Sequence, residues 1–442
     1  MYMTQNADGE KRQIQFLFAT LLLLPILPDV FAPFFIIIPF LAFVLCNKNW
    51  FSDFKSLYKS KNLLAIFGSL NLIWVFVCIF SSKFMVDSFV MSLLWLWCTL
   101  AFLAVLMIAR KKDAVSRSIE AILWAGLLSG IIAVLQYTFN NFKWIPLTLP
   151  NPFWKHVNGI TDHFFRYKIS YLEDNMRSNS TYVNSNVYST FLLVVIPLSI
   201  YYIDNAKTRK QLTFGIVSFV ISVLALFVTF SRGAYVALAI ILLAMTVLIL
   251  VLSKSLNKKW SVLVTGTTLL LTGSIPFLSI MPDSVQARMG DILVNDNSKV
   301  TRPRLWEISG HLFVKRPITG YGTGMNSQWD IFKHQYNINE PHAHNDLFQL
   351  LLEGGVPRVI FTFGLVVVFF CFAVYIVRKG RHNEKILSLA FMAAMLGIII
   401  QGSINYTFVD PKLTAYYMLL IAIMGGFYYS IKEKQQISLR KE

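Results

Sequence analysis

The chain has 442 residues, 55% of them hydrophobic and only 14% charged, with a mean hydropathy of +0.57. A water-soluble chain of this length would form two or three domains, and this composition excludes that in favour of a membrane as solvent. The formal net charge of +17 does not call for nucleic acid, because the Lys and Arg residues concentrate in connectors between apolar runs, where they set orientation and meet anionic headgroups.

The apolar runs lack alternation at period two, so helices are the fit in lipid. Runs near 14–28, 30–46, 63–81, 85–109, 118–138, 187–203, 211–230, 233–252, 261–280, 357–377, 386–405 and 413–430 predict about 12 transmembrane helices. The fold class expected is an all-α polytopic membrane protein with a large outer loop of short helices. The run from Ile14 has no small-residue cleavage pattern and is expected to stay as a first helix. Short connectors alternate in charge. Lys48, Lys55, Lys59 and Lys61 lie in one, and Arg110, Lys111, Lys112 and Arg117 in another. Lys207, Arg209 and Lys210, then Lys254, Lys258 and Lys259, then Arg378, Lys379, Arg381 and Lys385 follow. Connectors between these hold single cations, Lys83, Arg232 and Lys412. Positive loops stay inside, which predicts cytoplasmic termini and two long outer loops.

The expected organisation is N-terminal helices over 1–138, a first outer loop over 139–186, helices over 187–280 carrying Arg232, a large catalytic loop over 281–356, and C-terminal helices with a tail over 357–442. Cys46, Cys78, Cys98 and Cys371 lie in or beside apolar runs without metal spacing and read as buried free thiols. Within the second loop, Arg304–Val314 reads as an amphipathic helix ended by Pro317, and TGYGTGMN from Thr319 as a turn. Asn345–Glu353 reads as a short helix with Asn345 near its N-cap and Gly354–Gly355 as its stop.

Arg232, in TFSRGAY between two spans, reads either as a snorkelling interface cation or as a phosphate clamp, to which a planar bidentate fork is suited. Arg302 and Arg304, in TRPRLWE, read as solvated charges or, in an extended Pro-containing segment, as a same-side pair fitting a pyrophosphate. His342 and His344 in HAHND lack a third ligand at suitable spacing. No metal site is expected, and an outward histidine at a helix start suits proton transfer.

TFSRGAY, TRPRLWEISGHLFVKRPITGYGTGMN and HAHNDLFQLLLEGG, with STYVNSNVYST as a weaker element, resemble the O-antigen ligase and O-antigen polymerase superfamily. The motifs lie in order between Ser178 and Val377. The resemblance implies a metal-independent, cofactor-free bacterial glycosyltransferase of the inner membrane that takes a glycan from an undecaprenyl-pyrophosphate carrier on the outer face. Ligases pass it to a lipid A–core or other acceptor; polymerases pass it to another carrier-linked glycan. The resemblance places Arg232 and Arg302, with Arg304 beside it, on the pyrophosphate, and His344 as the base for the acceptor hydroxyl. Asn345, Gly355, Asn184 and Asn186 fall on supporting motif positions. The second glycine of the histidine motif is missing, since Arg358 stands there. Expected partners are the lipid-linked glycan donor, a glycan or lipid-linked acceptor, membrane lipids and other polysaccharide-assembly proteins. The competing reading is a polytopic glycan transporter without catalysis, although transporters usually carry intramembrane charges and paired halves.

Overall fold

The structure, a computed structural model, describes residues 2–27, 31–139, 177–182, 184–252, 302–408 and 410–439. Among these residues every regular element is a helix, with no strand. The helices are α1 (Tyr2–Leu23), α2 (Ala32–Ile36), α3 (Ile38–Leu45), α4 (Trp50–Lys59), α5 (Leu63–Val77), α6 (Met85–Ile108), α7 (Ala114–Phe139) and α8 (Ser185–Asp204). They continue as α9 (Arg209–Val228), α10 (Arg232–Leu252), α11 (Arg302–Lys315), α12 (Met325–Tyr336), α13 (Asp346–Lys379), α14 (His382–Gly402) and α15 (Pro411–Leu439).

Among the described residues, eight helices are long and apolar enough to cross a membrane, or nine if one bent pair counts as a span. Twelve is therefore not shown, and the expected run at 261–280 lies outside the described residues. The early runs depart from expectation for local reasons. α1 starts well before Ile14, and the polar stretch just ahead of the apolar run is held from outside the helix: Lys111 Nζ donates to Gln13 Oε1 at 2.6 Å and lies 3.6 Å from Glu10. The run at 30–46 is broken by Pro33 and Pro39, which withhold backbone donors. The chain then bends by 103° into α4, with Phe51, Lys55, Tyr58 and Lys59 exposed on that short helix.

α8 is the centre of the bundle. It is buried all round, nearly every residue from Ser185 to Ile200 packing against α14, α9, α7 and α10. Glycines set the closest approaches: a Cβ at Gly126 would strike Val195, and one at Gly397 would meet Leu193 at 3.0 Å. The outer perimeter is apolar and exposed, with Leu45, Phe80, Leu243 and Val367 facing out, as a lipid-facing surface should be. All four cysteines are free. Cys78 and Cys98 are buried as expected, but Cys371 is on the exposed perimeter and Cys46 is only half-buried.

The two ends of the bundle differ. One gathers the basic connectors 46–62, 109–113, 205–208 and 380–381, tied by Arg110 over the Tyr429 ring at 4.6 Å and by Gln435 Nε2 donating to Lys379 O at 3.2 Å. The other carries a small cap made by α11 and α12. The cap has its own core of Leu305, Ile308, Leu312, Ile331, Phe332, Ile338, Ala343 and Leu352. It is sewn to the spans by Ser81 Oγ donating to Thr319 O (3.2 Å), by Trp74 Nε1 donating to Gly354 O (2.7 Å) and by Arg316 Nη1 donating to Ser81 O (3.1 Å).

Candidate active site

The break in α13 positions the site. Asn345 caps the helix, its Oδ1 accepting from Phe348 N at 3.2 Å, and further along Gly354 and Gly355 leave helical geometry. Gly355 has φ +64, and a Cβ there would run into the carbonyls of Pro317 and Ile318. Val356 N donates to Pro317 O at 2.8 Å, and Tyr321 N donates to Leu352 O at 2.7 Å, so the glycine turn after α11 rests on this break. Glycine is required at Gly355 both for its left-handed backbone and for this close approach. The expected short helix is thus present, but its stop is a kink after which the chain runs on as the span.

The start of α13 is fastened to the connector between α14 and α15. Asn345 Nδ2 donates to Ser403 O at 2.8 Å, and the buried Asp346 accepts from Thr407 N at 2.7 Å and Thr407 Oγ1 at 2.5 Å. That connector also supplies Asn405, whose Oδ1 accepts from Arg302 Nη2 at 3.4 Å and from Asn186 Nδ2 at 3.3 Å. Asn186 Oδ1 in turn accepts from Arg177 Nη2 at 2.7 Å, and Arg177 Nε donates to Thr229 O at 2.9 Å. Asn184 has a purely local task, since its Oδ1 caps α8 by accepting from Val187 N at 2.9 Å.

Arg232 opens α10 after a tight turn in which Phe230 takes φ +48, and its side chain is exposed. The turn is held by Gln401 Nε2, which donates to Ser231 Oγ at 3.0 Å and Ser189 Oγ at 3.3 Å. Arg302 is exposed as a residue, yet its guanidinium is desolvated and crowded. Burial and the neighbouring Arg232 lower its pKa from the ordinary arginine range, and Glu340 works in the opposite direction. Like charge nearby disfavours the charged form, so the pair is held together at a cost.

The expectation that Arg302 and Arg304 project together from an extended segment is corrected. Both lie in the first turn of α11, where Pro303 is tolerated because the first N–H groups have no intrahelical partner. Residues two apart on a helix point to nearly opposite sides. Arg302 turns to Asn405, while Arg304 pairs with the exposed Glu307 at 2.9 Å.

The two histidines are also distinguished. His344 takes φ +51, its Nε2 lies 3.2 Å from Glu340 Oε2, and its backbone N–H donates to His342 Nδ1 at 3.3 Å. The rings meet edge to face at 4.1 Å, and His342 also packs on Tyr406 at 5.6 Å. Enclosure of the His342 ring, with His344 and Arg302 adding, pushes its pKa down to about 3. His342 is therefore a neutral brace, and His344 is the imidazole with a carboxylate partner.

Arg232, Arg302, Asn186, Asn345, His342 and His344 are thus brought to one end of the bundle, with Gly355 supporting from below. Sequence reasoning missed Arg177, Glu340, Gln401 and Asn405. Arg177 immediately precedes the polar run at Ser178, and a cation at that place was the available signal. Gln401, near the end of α14, and Asn405, in the connector after it, gave none.

No curated protein matches the chain. A family match does exist: residues 217–363 fit the O-antigen ligase family, Wzy_C. That stretch begins in α9, passes through Arg232, Arg302, His344 and Gly355, and ends in α13. This is a multi-pass membrane protein carrying an O-antigen ligase family domain.

Proposed function

We propose that the protein is a glycosyltransferase that moves an oligo- or polysaccharide from an undecaprenyl-pyrophosphate carrier to an acceptor hydroxyl, on the outer face of the bacterial cytoplasmic membrane. The observation that carries this reading is the juxtaposition of Arg232 and Arg302 beside His344. The two guanidiniums would stabilise the negative charge that grows on the departing pyrophosphate. Arg177, through Asn186 and Asn405, keeps Arg302 aimed. His344 would accept the proton of the attacking hydroxyl. The carrier linkage supplies the energy, so neither nucleotide nor metal is needed. Arg304 has no part in this arrangement.

The outward orientation is supported by the charge segregation of the bundle, since Lys- and Arg-rich short loops favour the cytoplasm. Alkaline phosphatase fused near residue 310 should be active and near residue 257 inactive; the reverse would turn the topology over. Purified protein in vesicles with a lipid-linked glycan donor should release polyprenyl pyrophosphate and extend an acceptor, in EDTA as well as without it. Transport of the donor without transfer would refute the enzyme reading. A deletion strain separates the two acceptor classes: unattached carrier-linked polymer marks a ligase, and a single repeat on the acceptor marks a polymerase.

A further inference from the structure

We propose that Glu340 is the positioning carboxylate of His344, the two acting as a carboxylate–imidazole dyad; this rests on the glycan-transfer reading above. The residues are four apart, but the contact is not a helical one. α12 ends at Tyr336, Asn337 turns the chain at φ +54, and Pro341 follows Glu340. The segment doubles back until His344, itself at φ +51, sets Nε2 3.2 Å from Glu340 Oε2. Left-handed backbone at a non-glycine residue is costly and persists where its surroundings fix it. Here Asn345, anchored to Ser403, and the His344 N–H, given to His342, do so.

The contact decides which nitrogen can act. An ionised carboxylate only accepts, so the Nε2 facing it carries the hydrogen and the lone pair is left on Nδ1. Glu340 is 38% exposed and His344 27%, which leaves the pair reachable from solvent. In the transfer step the acceptor oxygen bonds to the anomeric carbon as its O–H bond breaks. The proton goes to Nδ1 of His344, and the anomeric C–O bond breaks with its electron pair leaving on the pyrophosphate. The imidazolium so formed lies against Glu340, which stabilises it while holding the ring in place. His342 cannot replace His344, because its Nδ1 already accepts from the His344 N–H.

The test uses the full-length protein in vesicles with a lipid-linked glycan donor, comparing Glu340→Ala, Glu340→Gln, His344→Ala and the double variant. Misplacing a base by about 1 Å costs roughly 10²-fold, so Glu340→Ala should lower kcat by about that factor with KM for the donor unchanged. Glu340→Gln, whose amide oxygen can still accept from Nε2–H, should fall between. The double variant should be no slower than His344→Ala alone, because Glu340 works only through His344. Glu340→Ala at the wild-type rate beside an inactive His344→Ala overturns the dyad and leaves the base reading standing. A double variant slower than His344→Ala by the whole Glu340→Ala factor also overturns it. His344→Ala at the wild-type rate overturns both. If Glu340→Ala fails to reach the membrane, Glu340→Gln carries the same comparison.

Discussion

The two ends of the bundle hold charge in opposite ways. At one end Lys55, Lys59, Lys61, Arg209, Lys210 and Arg381 are exposed and separate. The other end also holds buried cations that are bonded to its connectors: Arg177 is 6% exposed and bonded to Thr229 and Asn186. Lys412 is fully buried and gives its ammonium to Thr181 O at 2.7 Å, with the Tyr182 ring 4.4 Å away. The difference teaches that exposed cations report orientation, whereas a desolvated, partnered cation reports a specific task, a helix tie at Arg110 and Lys111 and a candidate site at Arg302. Arg302 belongs to the second kind, desolvated beside Arg232 and bonded to Asn405 from the opposite connector, while Arg232 itself is exposed.

The largest way to break this comparison is at the site end itself. His344→Ala should lower transfer by about 10²–10⁴-fold, while the variant still binds the lipid-linked donor. Turnover measured in vesicles, alongside donor retention, checks both halves. Wild-type turnover would remove His344 from the chemistry and with it the meaning given to this end.

Arg232→Ala comes next, with an expected loss of about 10²–10³-fold, the range for removing one donor to a developing anion. Arg232→Lys should recover only part of it, since a point charge lacks the fork. Membrane levels should stay near wild type, because the side chain is exposed and supports no core. Full recovery by Arg232→Lys would show that the residue acts through charge alone.

Much of this was legible beforehand, and the particular failures have physical causes. The spans near 63–81, 85–109, 118–138, 187–203, 211–230, 357–377, 386–405 and 413–430 follow from runs of apolar residues, and the Asn345 cap and Gly355 break follow from local backbone chemistry. Arg302 and Arg304 were misread because a proline between two arginines looks extended, while proline in a helix's first turn is equally natural. The pairing of His342 with His344 could not be read, because φ +51 at His344 depends on Ser403 and Gln349 reaching in from elsewhere: Gln349 Oε1 accepts from Ala343 N at 3.0 Å. Arg177, Gln401 and Asn405 meet only through packing of α8, α10 and α14. Sequence gives residue types along one dimension, and convergence of three connectors is not among them.

The histidine pair gives a smaller effect with a definite sign. His342 titrates at about 3 when folded against an ordinary 6.5. Below about pH 6.5 the unfolded chain binds a proton that the folded chain refuses, so this residue's contribution to stability falls as pH drops toward 3 and is absent as a pH effect above 6.5. His342→Asn keeps an acceptor for the His344 N–H without that proton. The thermal midpoint of the variant in detergent should therefore fall less between pH 7 and pH 4 than that of the wild type. Equal slopes would mean that the ring is not held neutral.

The smallest effect should come from the opposite end, and it tests the comparison most directly. Lys55→Gln with Lys59→Gln removes two exposed cations from α4. α8 has 20 residues, which at about 1.5 Å per residue puts roughly 30 Å between the ends. Screening in physiological salt acts over about 8 Å, so turnover should change by no more than about twofold. Binding to anionic vesicles should weaken instead, by about 1 kcal/mol for each cation lost near the surface. A tenfold loss of turnover in the double variant, with protein level and orientation unchanged, would mean that charge at the two ends is coupled through the bundle. The distinction between orienting and reacting cations would then have to be abandoned.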